Sequence, residues 1–169
     1  MTILETERLL LRKITVDDAP FMLDLLNQPS FIQFIGDRGV RTLDDARNII
    51  TKRYIDAYER LGFGIYLTLL KEGQVPIGIC GLVKRDGLDD VDVGYAFLPQ
   101  YWSKGYASES VSTVLDYARN TLGIQRVLGI TTPDNIGSIR VLEKAGLKFE
   151  RMVKLPGEDM ELKLFATNV

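Results

Sequence analysis

The stretch DVGYAFLPQYWSKGYASESV, residues 92–111, decides the fold class of this chain. Its first third has the composition of a β-strand, its middle is a loop that contains Gly105, and its end opens an amphipathic helix. A strand that runs through a glycine loop into a helix is typical of mixed α/β folds, so the flanking sequence should supply further strands and helices.

The flanking sequence predicts two helices and a run of strands before this stretch, and alternating strands and helices after it. Thr15 and Thr42 are each followed three residues later by an aspartate, Asp18 and Asp45, which is typical of a helix N-cap. The predicted elements are, in chain order, a strand at 9–14, a helix from 15 to about 27, a helix from 42 to 62, strands at 64–70, 77–83 and 91–98, a helix at 106–122, a strand at 126–131, a helix at 136–145 and a hairpin at 147–165. This order predicts a mixed α/β sheet in a single domain over residues 1–169.

The composition excludes several classes of function. The 169-residue chain has a net charge of −2 and scattered Lys and Arg residues, which argues against binding of nucleic acid. It has no histidine and one cysteine, Cys80, which we expect in the core. A transition-metal site is therefore not expected, and any general base must be a carboxylate, Tyr, Lys, a chain terminus or water. The sequence shows no signal peptide and no apolar run near the ~20 residues of a membrane span, so we expect a cytoplasmic protein with no membrane partner.

The loop and helix start at 102–108 are suited to binding a phosphate. The first N–H groups of a helix are unpaired and carry a partial positive charge. Gly105 lets a ligand approach the backbone, Ala107 is too small to shield the amides, and Lys104 adds a mobile positive charge. The spacing fits neither the Walker A motif nor the dinucleotide-binding GxGxxG motif. A plain turn is the alternative, because junctions of this kind are common.

A second polar segment, NIGSIRVLEKAGL at 135–147, begins the next predicted helix. Asn135 stands before the helix, where its side-chain amide can cap the helix or can bind the amides of a ligand. Ser138 lies one turn further on nearly the same face. Both an ordinary N-cap and a ligand contact remain open for Asn135.

Together the two segments resemble motifs A and B of the GNAT superfamily of N-acetyltransferases, and most closely its RimJ/RimL-like branch. Motif A, [QR]xxGx[GA], corresponds to WSKGYA at 102–107, where the tryptophan is usual for this branch. Motif B corresponds to NxxSxxVLEKAGL at 135–147, and TERLLLRKITVDDA at 6–19 is a further branch-like feature. The resemblance covers nearly the whole chain. It implies a mostly antiparallel twisted sheet of about seven strands, flanked by about four helices, with a splayed strand pair that binds coenzyme A.

The resemblance also implies that acetyl-CoA is the cosubstrate, and the composition already argues against a metal. Amides at the start of the long helix would hold the pyrophosphate, and the preceding strand edge would pair with the pantetheine amides. A backbone N–H near Phe97 or Leu98 would stabilise the oxyanion of the thioester. The implied cofactor-binding residues are Ala96, Phe97, Leu98, Trp102, Ser103, Lys104, Gly105, Tyr106, Ala107, Ser108, Asn135 and Ser138.

Asp92 is the predicted general base, because it lies in the strand that leads to the implied thioester site. Asp90 lies one pleat away on the same face. Both could instead be solvated charges at the strand entrance, or could act through a bound water. Many relatives carry a tyrosine four residues after the Ser138 position as the acid that protonates the leaving thiolate, but this chain has Leu142 there. We therefore predict Ser138 as the acid, and a serine bonded only to helix backbone is the alternative.

The acceptor side is predicted from aromatic residues. Phe31, Phe34 and Tyr66 are predicted to line the acceptor cleft, and a helix–helix core is the alternative for them. Three arginines are expected to be solvated, although one could pair with an acidic substrate: they are Arg38, Arg41 and Arg53.

The predicted function is transfer of an acetyl group from acetyl-CoA to a primary amine, either the α-amine of a protein N-terminus or a small amine. Making an α-amine neutral at pH 7 costs only ~1–1.4 kcal/mol against ~4.6 kcal/mol for a lysine amine, which favours an α-amine in a site without a strong base. The alternatives are a catalytically silent CoA-binding sensor or scaffold, and a nucleotide-phosphate binder. We expect a monomer or a homodimer.

Overall fold

The computed structural model describes residues 2–167, which form one eight-stranded sheet with helices on both faces. The strands are β1 (Thr2–Glu5), β2 (Leu9–Lys13), β3 (Ile65–Leu70), β4 (Val75–Val83), β5 (Asp92–Phe97), β6 (Leu128–Thr131), β7 (Leu147–Val153) and β8 (Leu162–Thr167). The helices are α1 (Ala19–Leu26), α2 (Pro29–Phe34), α3 (Leu43–Ile49), α4 (Asp56–Leu61), α5 (Tyr106–Asn120) and α6 (Ile136–Lys144), and a π-helical segment (Ile50–Ile55) joins α3 to α4. Among these described helices, none combines the length and the apolar character that crossing a membrane requires.

The sheet is splayed open at one place. Its strand order is β1-β2-β3-β4-β5-β6-β8-β7, and all neighbours are antiparallel except β5 and β6. These two strands run parallel and share a single bridge, between Asp92 and Leu128. Beyond that bridge they diverge, so the C-terminal half of β5 has no strand on its β6 side. The predicted mixed, mostly antiparallel sheet and its splayed strand pair are confirmed.

Two elements go beyond the sequence prediction. The four-residue β1 pairs with β2 at the edge of the sheet, so the described strands number eight and not about seven. The short α2 begins at Pro29, separated from the end of α1 at Leu26 by Asn27 and Gln28. Proline ends one helix because it lacks an N–H, but its fixed φ also suits the first position of the next. Pro29 therefore separates the two helices and starts α2.

The predicted helix starts at Thr15 and Thr42 are both present, with different geometry. The Thr42 side chain accepts a hydrogen bond from Asp45 N–H at 3.0 Å, and the Asp45 carboxylate accepts one from Thr42 N–H at 3.2 Å, which caps α3. After Thr15 a short 3₁₀ turn, Val16–Asp18, comes first, and the Asp18 carboxylate accepts from Thr15 N–H at 2.9 Å. This turn leads directly into α1.

Core residues cover both faces of the sheet. The helices α1 to α3 and the π-helical segment pack on one face, where Ile50 and Ile79 are buried. On the other face α5 and α6 cover Tyr66 and Cys80, which belong to the same core cluster as Val114 of α5. Ile79 and Cys80 are neighbours on β4 but belong to opposite layers, because side chains alternate along a strand. Burial raises the pKa of the Cys80 thiol to about 12, so this residue is part of the core, as expected.

Candidate active site

A cavity of about 700 Å³ opens where β5 and β6 diverge. Its walls come from β5 and the N-termini of α5 and α6, and from α1, α2 and the π-helical segment. Most of the site residues predicted from the sequence line it: Phe31, Phe34, Asp92, Ala96, Phe97, Trp102, Ser103, Gly105, Tyr106, Ala107, Ser108, Asn135 and Ser138. The fold therefore brings the expected cofactor, catalytic and acceptor residues into one continuous space.

The β5 edge that faces this cavity carries backbone groups with no strand opposite them. Along a strand in a sheet, every second residue directs its backbone N–H and C=O groups toward the same neighbouring strand. Leu98 N–H donates to a β4 carbonyl at 2.9 Å, so the even-numbered residues of this segment bond to β4. On the other side, Leu128 N–H of β6 donates to the Val91 carbonyl, also at 2.9 Å. Odd-numbered residues of β5 thus face β6, so the peptide groups of Tyr95 and Phe97 point into the splay.

This register decides which predicted backbone groups are available. Leu98 N–H is already bonded to β4, so it cannot stabilise an oxyanion, which corrects that expectation. Ala96 also directs its peptide groups to β4, and only its side chain faces the cavity. Trp102 Nε1 donates to the Phe97 carbonyl at 2.9 Å. The groups left facing the splay are the N–H of Phe97 and both peptide groups of Tyr95, which suits an extended ligand that adds as a strand.

The loop before α5 presents the N-terminus of that helix to the cavity. Gly105 is the N-cap in the left-handed conformation, at φ 85°, and it has no side chain to cap the helix. A Cβ at this φ would be strained, and it would lie 3.3 Å from the Arg8 guanidinium. The first amides of the helix, at Tyr106, Ala107 and Ser108, are therefore open and carry the positive end of the helix dipole.

Arg8 supports this loop, and the sequence reasoning missed it. Its Nε lies 2.8 Å from the Glu109 carboxylate, its Nη1 donates to the Lys104 carbonyl at 3.1 Å, and its guanidinium lies 4.4 Å from the centre of the Tyr106 ring. Burial alone would raise the pKa of Glu109, but hydrogen bonds from Thr6 and Arg8 outweigh it and lower that pKa. Arg8 belongs to the opening segment at 6–19 that resembles the RimJ/RimL-like branch. That resemblance does not indicate which side chain of the segment contacts the loop before α5.

Asn135 and Ser138 face the cavity from α6. Asn135 Oδ1 accepts from Ser138 N–H at 3.2 Å, so Asn135 is the N-cap and also lines the cavity. Ser138 Oγ lies 2.6 Å from Tyr95 Oη, which also donates to the Ser138 carbonyl at 3.2 Å. Burial raises the pKa of Tyr95, which keeps its proton in place. Tyr95 thus brings a phenol to the cavity from β5, whereas Leu142 is buried in the core.

Asp92 is buried at the start of β5 and is not a solvated charge. Arg85 Nε donates to its two carboxylate oxygens at 2.9 and 3.2 Å. Burial raises the pKa of the Asp92 carboxyl, and the Arg85 charge opposes that shift. Asp90, in contrast, is partly exposed and paired with Arg126 at 3.3 Å. Asp92 lines the cavity and Asp90 does not, and a raised carboxyl pKa suits a base that works near neutral pH.

Three predicted site residues do not line the cavity. Tyr66 lies in the α5 layer, where its ring stacks on Tyr58 with centres 5.6 Å apart. Because side chains alternate along β3, Ile65 reaches the cavity instead, and the predicted acceptor role of Tyr66 is corrected. Leu98 is buried in the core. The Lys104 side chain is exposed outside the cavity wall.

Comparison with known proteins identifies the family. A family model for the acetyltransferase (GNAT) domain matches residues 8–148. The chain is 29% identical over 149 residues to the "Uncharacterized N-acetyltransferase YnaD" of Bacillus subtilis (strain 168), and the match covers 88% of this chain and 84% of that protein. The crystal structure of a GNAT-family acetyltransferase from Bacillus anthracis matches with a TM-score of 0.79 and 27% identity, over 98% of this chain and 97% of the other.

RimL, the ribosomal L7/L12 alpha-N-protein acetyltransferase, is similar in fold. Its complex with coenzyme A matches with a TM-score of 0.84 over 98% of this chain and 97% of that chain, at 18% identity. The chain therefore belongs to the GNAT acetyltransferase family, as its motifs predicted, and it is an N-acetyltransferase.

Within residues 2–167, no three His, Cys, Asp or Glu side chains are grouped to hold a metal ion.

Proposed function

We propose that this enzyme transfers an acetyl group from acetyl-CoA to a primary amine by direct attack, and that the amine is the α-amine of a protein N-terminus or a small amine. The main support is a path of free backbone groups that runs from Tyr95 and Phe97 on β5 to the first amides of α5. A chain of amides that ends in a diphosphate complements this path, and coenzyme A has that chemistry.

The residues present fit the diphosphate and pantetheine parts of coenzyme A. The amides of Tyr106, Ala107 and Ser108 would bind the diphosphate, and Arg8, which is paired with Glu109, would hold the loop in place through the Lys104 carbonyl. The N–H of Phe97 and the carbonyl of Tyr95 would pair with pantetheine amides. The remaining predicted contacts are the cavity-facing side chains of Ala96, Trp102, Ser103 and Asn135.

The thioester would lie beside Tyr95. Two N–H groups face the splay, those of Tyr95 and Phe97, and Tyr95 is the nearer of the two to Asp92 along the strand. We therefore assign the Tyr95 N–H to stabilise the negative charge that develops on the thioester oxygen. The amine nitrogen attacks the carbonyl carbon and the C–S bond breaks. Asp92, directly or through a water, takes the amine proton. The Tyr95–Ser138 hydroxyl pair, whose oxygens are 2.6 Å apart, supplies a proton to the departing sulfur.

An acetylation screen tests this proposal. Acetyl-CoA is incubated with N-terminal peptides and small amines, free thiol is followed by colour, and products are identified by mass spectrometry. We expect one acetylated amine for each thiol released. Tight CoA binding without turnover of any amine would support the silent CoA-binding module. Stabilisation by ATP but not by CoA would support a nucleotide-phosphate binder.

The cytoplasmic location and the monomeric or homodimeric state expected from the sequence remain predictions. Fractionation of cells that express the protein tests the first. Analytical ultracentrifugation tests the second, and an assembly larger than a dimer would contradict it.

A further inference from the structure

Three arginines converge at the acceptor end of the cavity from separate segments of the chain. Arg38 lies in the loop after α2, Arg53 in the π-helical segment and Arg85 in the loop after β4. All three line both the 700 Å³ cavity and an adjoining groove of about 740 Å³. π-Helical segments are frequent at functional sites, and this one carries Arg53 next to the buried Tyr54.

Only one of the three arginines is neutralised within the described part of the chain. Arg85 is bonded to Asp92 through its Nε. Within residues 2–167, neither Arg38 nor Arg53 has a carboxylate oxygen within 4.0 Å. Glu158 lines the groove but not the cavity. The acceptor end therefore presents two positive charges without a paired carboxylate.

Other arginines of the same helical layer are paired. Each has a carboxylate three or four residues away at 2.6–2.7 Å: the pairs are Arg41–Asp37, Arg47–Asp44 and Arg60–Asp56. Within this layer, the sequence thus supplies partners for the arginines outside the 700 Å³ cavity and leaves Arg38 and Arg53, which line it, without one. This difference is a property of the cavity and not of the region as a whole.

The environment of Arg38 shows what is missing. Its Nε is buried and has no hydrogen-bond partner among the described residues. Burial, followed by the positive charges of Arg53 and Arg85, lowers the pKa of Arg38. A buried donor without a partner destabilises the fold, and more so when it is charged. An anion bound here would relieve both the unmet donor and the repulsion, and a guanidinium matches a carboxylate or phosphate with two parallel hydrogen bonds.

This arginine cluster lies close to the proposed reaction centre. Asp92, which contacts Arg85, is three residues from Tyr95, or roughly 10 Å along an extended strand. Phe31 and Phe34 line the same end of the cavity and offer apolar contact to the part of the acceptor between its amine and its anionic group. The geometry is that of a site for a short molecule or chain end with an amine at one point and a negative charge nearby.

We infer that the acceptor is a primary amine that carries a carboxylate or phosphate group, which Arg38 and Arg53 bind while Arg85 holds Asp92. This inference rests on the proposed acetyl transfer and adds the charge of the substrate to it. The anionic group belongs either to a small molecule or to an acidic side chain near a peptide N-terminus. Polyamines are excluded as good acceptors, because two unpaired guanidinium groups repel a polycation.

Steady-state kinetics on matched acceptors test the inference. Each pair differs only in charge: a C-terminally amidated tripeptide with Asp or Asn in second position, and an aminoalkyl carboxylate or its amide. An aminoalkyl phosphate and spermidine complete the panel. We expect kcat/KM to be about 10-fold or more higher for the anionic member of a pair, with spermidine the poorest acceptor. The pair that shows the larger preference identifies the source of the anionic group.

Variants assign that preference to the cluster. Combined Arg38→Gln and Arg53→Gln substitution should remove the preference for the anionic member, so that the two members of a pair have equal kcat/KM, and should leave the CoA Kd unchanged. Arg47→Gln, a paired arginine outside both cavities, should keep the preference. The Arg38→Lys and Arg53→Lys double variant should retain part of it, because the charge remains but the two-point hydrogen bonding is lost. Thermal unfolding of each variant controls for misfolding.

A binding measurement separates this inference from the proposed catalysis. N-acetyl-aspartyl and N-acetyl-asparaginyl peptides are titrated calorimetrically into the protein with CoA present, which needs no turnover. The aspartyl peptide should bind about 10-fold tighter or more, and the double glutamine variant should abolish the difference. Equal affinity, or a charge preference that the double variant keeps, would overturn the anionic acceptor even where acetyl transfer itself is established.

Discussion

The two halves of the cavity offer different chemical groups to a ligand. In the cofactor half, built by the β5 edge and the N-termini of α5 and α6, most of these groups are backbone N–H and C=O. In the acceptor half, built around Arg38, Arg53 and Arg85, they are side chains from three separate segments. A site made of backbone groups requires a particular turn and small residues, so it is visible in the sequence as a local motif. A site made of side chains from three separate segments has no such motif.

The comparison predicts that the cofactor half is most sensitive to a change of backbone geometry. Gly105→Val places a β-branched side chain at φ 85° and covers the helix amides, so we expect a loss of about 100-fold in CoA affinity, or about 2.7 kcal/mol. Calorimetric titration with CoA measures it. Gly123→Val is a matched control, since Gly123 also has a positive φ, of 69°, and lies outside the cavity. It should strain the backbone in the same way but leave CoA affinity within about threefold; equal effects of the two substitutions would contradict a backbone site.

The boundary between the halves is expected to carry the general base. Asp92→Asn should lower kcat about 100-fold with unchanged CoA affinity. A base acts when deprotonated, so the wild-type rate should fall as the pH drops through the pKa of Asp92, which burial places above the ordinary carboxyl value. The variant should lose this acid limb of the pH–rate profile. Asp90→Asn removes a partly exposed partner of Arg126 and should change little; a full acid limb in the Asp92 variant would rule out this role.

The hydroxyl pair of the cofactor half should have a smaller effect. Tyr95→Phe and Ser138→Ala are each expected to lower kcat by about 10-fold, less than for most general acids, because a CoA thiolate leaves readily. The two hydroxyl oxygens lie 2.6 Å apart and act together, so the kcat of the double variant should be about the same as that of either single variant. Pre-steady-state kinetics measures the chemical step. Multiplied effects in the double variant would show that the hydroxyls act independently.

The smallest effect is expected on stability, at the Arg12–Asp18 ion pair outside the cavity. Burial alone would raise the pKa of Asp18, but hydrogen bonds from Arg12 and Thr15 outweigh it and lower that pKa. The pair therefore stabilises the fold fully above the unfolded pKa of about 4 and loses this contribution as the pH falls through the lower folded pKa. Asp18→Asn should reduce the free energy of unfolding by about 1 kcal/mol at pH 7, with the difference shrinking toward pH 3. Urea unfolding at both pH values tests this, and a constant difference would contradict the sign.

A control separates this pair from surface pairs. Asp44 is 88% exposed on its side chain and is paired with Arg47, so Asp44→Asn should change stability by less than Asp18→Asn. Neither substitution should alter CoA affinity, because both residues lie outside the cavity.

The cofactor half of the cavity could be predicted from the sequence more fully than the acceptor half. The stretch at 92–111 predicted a strand, a glycine loop and a helix, since each has its own period or turn residue, and the structure has all three. The motif also placed Gly105 and Asn135 at helix N-termini. It did not give the register of β5, on which the availability of Leu98 N–H depends, because strand pairing is a long-range property.

The acceptor half was less predictable because it depends on which side of a strand or helix a residue occupies. Tyr66 and Ile65 are adjacent, and a shift of one residue exchanges core and cavity. In the sequence, Arg38 and Arg53 cannot be told from ordinary surface arginines. Only the fold shows that the nearby carboxylates pair with other arginines and not with these two. Tyr95 was missed because the motif directs attention to α6 for the acid, whereas the phenol comes from β5.

A crystal structure of the protein with coenzyme A tests the central claim most directly. Backbone recognition predicts diphosphate oxygens about 3 Å from the amides of Tyr106 to Ser108, and pantetheine amides bonded to the free peptide groups of Tyr95 and Phe97. A diphosphate bound elsewhere, or a β6 strand paired along the whole of β5 so that no edge is free, would contradict it.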